Sequence, residues 1–303
     1  MATRKKKGTV GIVGLGIMGG AFARNLAAAG WRVVGFDISA ARRREAARAG
    51  VEIATDAADV AAKVPVVITS LPTPKALDFT AKKIAAAKLP RRTIVEASTF
   101  TIEDKQRAAA VLEKAGHSVL DTPVSGTGAQ AKKKDLIFYA SGNSAAIKKL
   151  RPMFRDFGRE VYDLGRFGNG SRMKYVANLL VAIHNVAAAE AMVLGIKGGL
   201  DPEIVYKLAN AGAGQSRMFD LRGPMMVKDR YDDVTMKVSV WQKDMSVIGH
   251  FAKQIGVKVP LFTASEPIYS RAIALGHGEH DTASVCAVIE NMAHFKRRKT
   301  RAR

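Results

Sequence analysis

A doubly wound α/β domain with a mostly parallel sheet, joined through a long helix to an all-α domain, is the architecture that three features of this 303-residue chain predict. Up to about Asp163, short β-branched runs alternate with Ala-rich stretches of helical period, the pattern of βαβ units whose sheet is covered on both faces. Beyond Gly170 the strand signal stops and helical periodicity continues almost to the C-terminus. The length also suits two cores better than one, because single cores seldom keep growing past roughly 250–300 residues.

In chain order, the first strand is read in "TVGIVG" from Thr9 and the second in "RVVGFD" from Arg32. Further strands are read in "VPVVITSLP", "RTIVEAST" and "HSVLDTPVS", each followed by a segment of helical period. "DLIFYASG" and "REVYDLG" close the domain around a helix from Ser144 to Phe154. Residues 171–199 form one long helical pattern, and helices follow near 201–211, 238–255, 261–275 and 282–295, punctuated by Gly198-Gly199, Gly256, Pro260 and Gly276. The expected organisation is a basic tail at 1–8, the α/β domain at 9–167, the helical domain at 168–295 opening with the interdomain helix, and a second basic tail at 296–303.

A composition of 48% hydrophobic and 25% charged residues is that of a folded rather than a disordered chain. Cys286 stands alone, which excludes an internal disulfide and suits a reducing cytoplasm. "MATRKKKG" has charge but no apolar run before a small-residue cleavage site, so it does not read as a secretory leader. Val176 to Ile196 is the most membrane-like stretch, but Asn178, His184, Asn185 and Glu190 interrupt it, and it is read as a buried helix of a soluble protein. The formal charge of +21 attracts anions, whether acidic substrates, phosphates or nucleic acid. Ten of the basic groups lie in the two tails, which lack interleaved aromatics and any nucleic-acid-binding motif, so they read as solvated ends.

The segment "VGIVGLGIMGGAFARNLAAAGWRVVGFD" places Gly14, Gly16 and Gly19 between a strand and a helix, with Asp37 at the end of the next strand. Gly-x-Gly-x-x-Gly alone is a weak signal, but in this context it is the fingerprint of a dinucleotide-binding Rossmann fold. The first glycine permits the tight turn, the second admits a pyrophosphate to the backbone, and the third lets helix and strand pack closely. Leu15, Ile17 and Met18 complete this cofactor loop, and the free N–H groups of the helix start face the phosphates. Asp37 suits a ribose diol and repels a 2′-phosphate, which favours NAD; Arg42, Arg43 and Arg44 keep NADP open.

"GRFGNGSRMKYVANLL" sets Lys174 on the opening turn of an apolar helix with Asn178 four residues on, on the same face. A lysine there is either buried or turned into a cleft, and burial lowers its pKa from about 10.4 towards the range useful for acid–base chemistry. A lysine whose stem merely lies along apolar surface fits the same pattern. "DTPVSGTGAQ" brings Ser125 and Gly126 to the C-terminal end of a strand, where backbone N–H groups and a hydroxyl suit a small carboxylate. "EASTFT" ends another strand with Ser98 and Thr99. No His, Asp or Glu cluster has metal-ligand spacing; His277 and His280 fall in an interhelical loop.

Four blocks, "GIVGLGIMG", "DTPVSG", "GRFGNGSRMKYVAN" and "WQKDM", together resemble the β-hydroxyacid dehydrogenase family from about Thr9 to Ala293. The resemblance implies that Lys174 is the catalytic lysine, with Asn178 beside it holding substrate. It implies that Ser125 and Gly126 grip the substrate carboxylate, that Leu71 and Pro72 border the cofactor, and that Thr99 and Lys243 lie by its nicotinamide. It further implies homodimers or homotetramers and hydride transfer between NAD(P) and a small 3-hydroxy acid or its semialdehyde. The substrate loop departs from the family where glycines are replaced by Gln130 and Lys134, giving a stiffer, more basic loop.

Other readings are weaker. Imine reductases share the architecture but many lack the lysine, and 6-phosphogluconate dehydrogenases need a longer helical part. Glyoxylate or succinic semialdehyde reduction remains open within the family, where "AGAGQSRMFDLRGPMM" is expected to line the substrate cleft. A nucleic-acid-associated scaffold would leave Lys174 without a role.

Overall fold

In the computed structural model, the structure describes residues 7–297. The chain divides into two compact units, the first ending at Lys174 and the second starting at Tyr175.

The first unit begins β1 (Thr9–Val13), α1 (Ile17–Ala28), β2 (Arg32–Phe36), α2 (Ala40–Arg48), β3 (Glu52–Ile53) and α3 (Ala57–Lys63). It continues β4 (Val66–Thr69), α4 (Pro74–Ala86), β5 (Thr93–Glu96), α5 (Ile102–Lys114) and β6 (Ser118–Asp121). These strands form one parallel sheet in the order β3-β2-β1-β4-β5-β6. The order reverses between β1 and β4, so the loops leaving those two strands flank the crevice at which open α/β sheets take ligands. Alternate residues of β1 feed two cores: Val10 and Ile12 join Phe22, Leu26 and Val33, while Val13 joins Val34, Val60 and Val67. Both faces are therefore covered, as a parallel sheet requires.

A second, smaller sheet follows, from β7 (Val124–Ser125), α6 (Gly128–Lys132), β8 (Ile137–Ala140), α7 (Ser144–Phe157) and β9 (Glu160–Asp163). Its order is β7-β8-β9, antiparallel and then parallel. The stretch "HSVLDTPVS", read as a single strand, is thus split, with Pro123, which has no N–H to donate to a ladder, between its two parts. The aromatic rings of Phe22, Phe138, Phe154 and Phe157 pack with centroids 4.8–6.3 Å apart and seat this sheet on α1. Phe157 is fully buried, and α7 runs on to include it.

The remaining helices are α8 (Asn169–Lys197), α9 (Pro202–Ala211), α10 (Arg217–Lys228), α11 (Val238–Gln254), α12 (Pro260–Ala274) and α13 (Val285–Met292). Helix α8 starts in the first unit and continues into the second, which holds the others. Helix α10 was not anticipated, because Gly223-Pro224 sits inside it; Ser216 caps its start by accepting from the Phe219 N–H. The reading of α8 as a buried helix needs correction. Only 39% of its most apolar stretch is buried, and Val176, Leu180 and Leu194 are exposed. Of the polar residues in that stretch, Asn178 and Asn185 are buried, His184 is half-buried and Glu190 exposed; Asn185 donates to the Tyr269 hydroxyl and the Thr282 carbonyl. By length and composition α8 is the one helix among the described residues long and apolar enough to cross a membrane.

The expected basic tails lie largely outside the described residues. Of the described part, Lys7 pairs with Asp156. Arg297 is fastened to Glu290 and to the carbonyls of Met226 and Val227 at the end of α10.

Candidate active site

The glycine turn after β1 is built as its sequence demands. The Gly14 N–H donates to the Phe36 carbonyl, and its φ of +92° is one that residues with side chains rarely adopt. A Cβ on Gly14 would collide with the Ser70 carbonyl, and one on Gly19 with the Gly14 carbonyl. A Cβ on Gly16, in contrast, would meet nothing within 4 Å. Helix α1 starts there with no side chain capping its N–H groups and no acidic residue in its first turn. An open backbone over an uncapped helix start fits a pyrophosphate. Leu15 is buried, Met18 half-buried, and Ile17 exposed.

Asp37, just past β2, accepts the Leu15 N–H on one carboxylate oxygen at 2.7 Å and the Ser39 N–H on the other at 2.8 Å. Arg43 donates to the Asp37 and Ile38 carbonyls, and Arg42 pairs with Glu45. Two of the three neighbouring arginines therefore have protein partners.

The loops after β4 and β5 are tied together, since the Leu71 N–H donates to the Ser98 hydroxyl at 2.9 Å. Pro72 is exposed and Thr99 half-buried beside them. At the end of β7, Ser125 and the following Gly126 are partly exposed, and Gly126 has φ +134°. A Cβ on Gly128 would lie 2.5 Å from the Ile17 side chain, so the Ser125 loop abuts the cofactor turn. Gln130, the departure noted above, has a structural role. It completes a capping box with Thr127 at the start of α6 and donates to Asp135. Lys134 is exposed in a left-handed conformation, φ +59°.

Lys174 lies on α8 with only 8% of its surface exposed, excluding a solvated lysine on an outer face. The turn that carries it is anchored on Asp121, which is wholly buried at the end of β6. Asp121 accepts the Ser171 N–H and hydroxyl, both at 2.8 Å, and the Ser141 hydroxyl. The Gly170 N–H in turn donates to the Ser141 hydroxyl at 2.9 Å. Lys105 reaches Asp121 at 2.7 Å and Glu96 at 2.8 Å, with all three side chains buried. Burial opposes the Lys105 charge, but the two carboxylates outweigh it and hold its pKa above the ordinary lysine value.

The first unit thus gathers the glycine turn, Asp37, Leu71, Pro72, Thr99, Ser125, Gly126 and Lys174. Asn178 and Lys243 meet instead around a residue of the second unit: Asn178 donates to Asp244 at 2.8 Å, and Lys243 pairs with it at 2.9 Å. Sequence reasoning missed Asp244, though it lies in the quoted "WQKDM", and it missed Glu96, Lys105, Asp121 and Ser171. Lys105 carried a signal, falling on the stripe formed by Ile102, Ala108, Ala109 and Leu112. Among the described residues no His, Cys, Asp or Glu group is placed to hold a metal ion.

A parallel sheet in this order, with a glycine turn at its switch point and an uncapped helix beyond it, defines a dinucleotide-binding Rossmann domain. A family model described as the NAD binding domain of 6-phosphogluconate dehydrogenase matches residues 9–165. Another, described as the NAD-binding of NADP-dependent 3-hydroxyisobutyrate dehydrogenase, matches residues 168–289. An L-threonate dehydrogenase of Cupriavidus necator is 30% identical, the match covering 92% of this chain and 95% of that protein. A chloroplastic glyoxylate/succinic semialdehyde reductase 2 of Arabidopsis thaliana is 28% identical, covering 98% and 84% respectively. A 3-hydroxyisobutyrate dehydrogenase structure from Salmonella typhimurium superposes with a TM-score of 0.83 at 28% identity, covering 93% and 100%. The chain belongs to the β-hydroxyacid dehydrogenase family.

Proposed function

We propose that this protein moves a hydride between NAD and a small 3-hydroxy acid or the matching semialdehyde, with Lys174 as general acid and base. The observation that carries the reading is the near-complete burial of Lys174 on a helix turn fixed to the end of β6, at the sheet edge that holds the glycine turn. When bound, the nicotinamide supplies or accepts the hydride. The Ser125 hydroxyl and the backbone N–H groups of its loop bind the substrate carboxylate. Lys174 takes the hydroxyl proton during oxidation and returns it to the developing alkoxide during reduction. Asn178 orients the same oxygen, its amide already steadied by Asp244. Leu71, Pro72, Thr99 and Lys243 border the nicotinamide.

The choice of NAD rests on Asp37, whose carboxylate sits beside the Leu15 N–H, and on Arg42 and Arg43 being engaged elsewhere. Asp37→Ala removes the charge that repels a 2′-phosphate. The expected result is a rise in the NADPH-to-NADH ratio of kcat/KM of at least about tenfold, equivalent to roughly 1.4 kcal/mol. An unmoved ratio removes Asp37 from the ribose.

The relatives act, by their names, on threonate and on glyoxylate or succinic semialdehyde. A screen of NADH and NADPH oxidation against small semialdehydes, repeated with 3-hydroxy acids and NAD(P)+, tests the function. No turnover with any of them contradicts it.

Exposed Leu194, Leu200, Ile204 and Leu208, together with the absence of any buried residue on α9, support a homodimer or homotetramer, and the lone Cys286 suits a reducing cytoplasm. Sedimentation equilibrium is expected to give a multiple of 32.5 kDa; a monomer contradicts this.

A further inference from the structure

The geometry points to Asp121 as the positioning residue for Lys174, one that holds the lysine's helix turn at the cofactor edge without touching substrate. This rests on the reading of Lys174 given above. Asp121 ends β6, and every acceptor position of its carboxylate is used. One oxygen takes the Lys105 ammonium and the Ser171 hydroxyl, the other the Ser171 N–H and the Ser141 hydroxyl. The two N–H groups so secured, Ser171 directly and Gly170 through Ser141, belong to the first turn of α8, where no intrahelical partner exists. Lys174 lies three residues beyond Ser171, on the same side of the helix.

The same group connects to the opposite side of the crevice. From Lys105 the chain of contacts passes to Glu96, whose second oxygen accepts the Ser98 N–H at 3.0 Å, and from the Ser98 hydroxyl to the Leu71 N–H. The ends of β4, β5 and β6 and the start of α8 are therefore one hydrogen-bonded body. A Cβ on Gly170 would strike the Tyr139 carbonyl and crowd that of Asp121, so the turn is also seated against backbone. A helix start whose only task was stability needs a cap; it does not need one shared with the loop that borders the cofactor. General acid–base catalysis does need such sharing, because a displacement of the order of 1 Å can cost about a hundredfold in rate.

The test uses the full-length chain with Asp121→Asn, Ser171→Ala and Lys174→Ala. Succinic semialdehyde and L-threonate serve as probe substrates, with NADH or NAD+. For Asp121→Asn we expect kcat to fall roughly 10- to 100-fold, with NADH dissociation constant and KM within about threefold of wild type. Ser171→Ala, which keeps its N–H donor, is expected to fall about fivefold in the same pattern. With NADH deuterated at the transferred position, the isotope effect on kcat rises in both variants, because misplacing the lysine slows the chemical step itself. Amide exchange quickens at residues 170–175 and not in β1 or β4. If Asp121→Asn does not fold, Ser171→Ala carries the test. A kcat loss matched by an equal loss of NADH affinity, or wild-type kcat in both variants while Lys174→Ala is inactive, overturns the positioning role alone. Wild-type turnover by Lys174→Ala overturns the acid–base reading and this inference with it.

Discussion

Replacing Lys174 by alanine is expected to lower kcat by about 10²–10⁴-fold, the usual worth of a positioned general acid or base. The dissociation constant for NADH should stay within about twofold, since the residues proposed to hold the dinucleotide lie in the glycine turn, at Asp37 and in the Leu71 loop. Lys174 is only 8% exposed, on a helix turn fixed through Ser171 to the end of β6, the sheet edge that also carries the glycine turn. Stopped-flow turnover with fluorescence titration of NADH measures both quantities. Residual activity within tenfold of wild type removes Lys174 from the chemistry.

The largest effect on stability is expected from Lys105→Met. This variant leaves Glu96 and Asp121 buried and charged without their shared cation, a change that typically costs about 3–5 kcal/mol. For a unit of this size that lowers Tm by roughly 10 °C. The pH dependence has a definite sign. In the wild type the raised pKa of Lys105 gives stability that is fully present below about pH 10 and is lost as pH climbs through the folded value. The variant has no amine to titrate there, so its deficit is expected to be widest below about pH 10 and to narrow as pH rises through the folded value. Thermal melts at several pH values test this; a deficit that widened on raising the pH would contradict the network's charge assignment.

What the sequence revealed divides along a physical line. The turn at Gly14, Gly16 and Gly19 was legible because its requirement is local: a positive φ at Gly14 and close approaches that exclude a Cβ at Gly14 and Gly19. The burial of Lys174 was legible because a lysine inside an apolar run is an anomaly whatever surrounds it. Helix α10 was not, since Gly223-Pro224 reads locally as a break, and its residues Phe219, Arg222 and Met226 are held by burial. The Asp121 network was hidden for a different reason. Glu96, Lys105, Asp121 and Ser171 lie on four separate elements, and no spacing rule joins a carboxylate to partners 16 and 50 residues away. Gln130 lies between these cases. Its replacement of a family glycine was visible, but its use as a cap on Thr127 follows only once α6 is known to form.

The most direct measurement is a structure of the chain with NAD+ and an unreactive analogue of its 3-hydroxy acid bound. The account predicts the Lys174 Nζ within about 3.2 Å of the substrate hydroxyl, and the carboxylate on Ser125 and Gly126. A hydroxyl bonded to some other side chain, with Lys174 out of reach of it, would contradict the account.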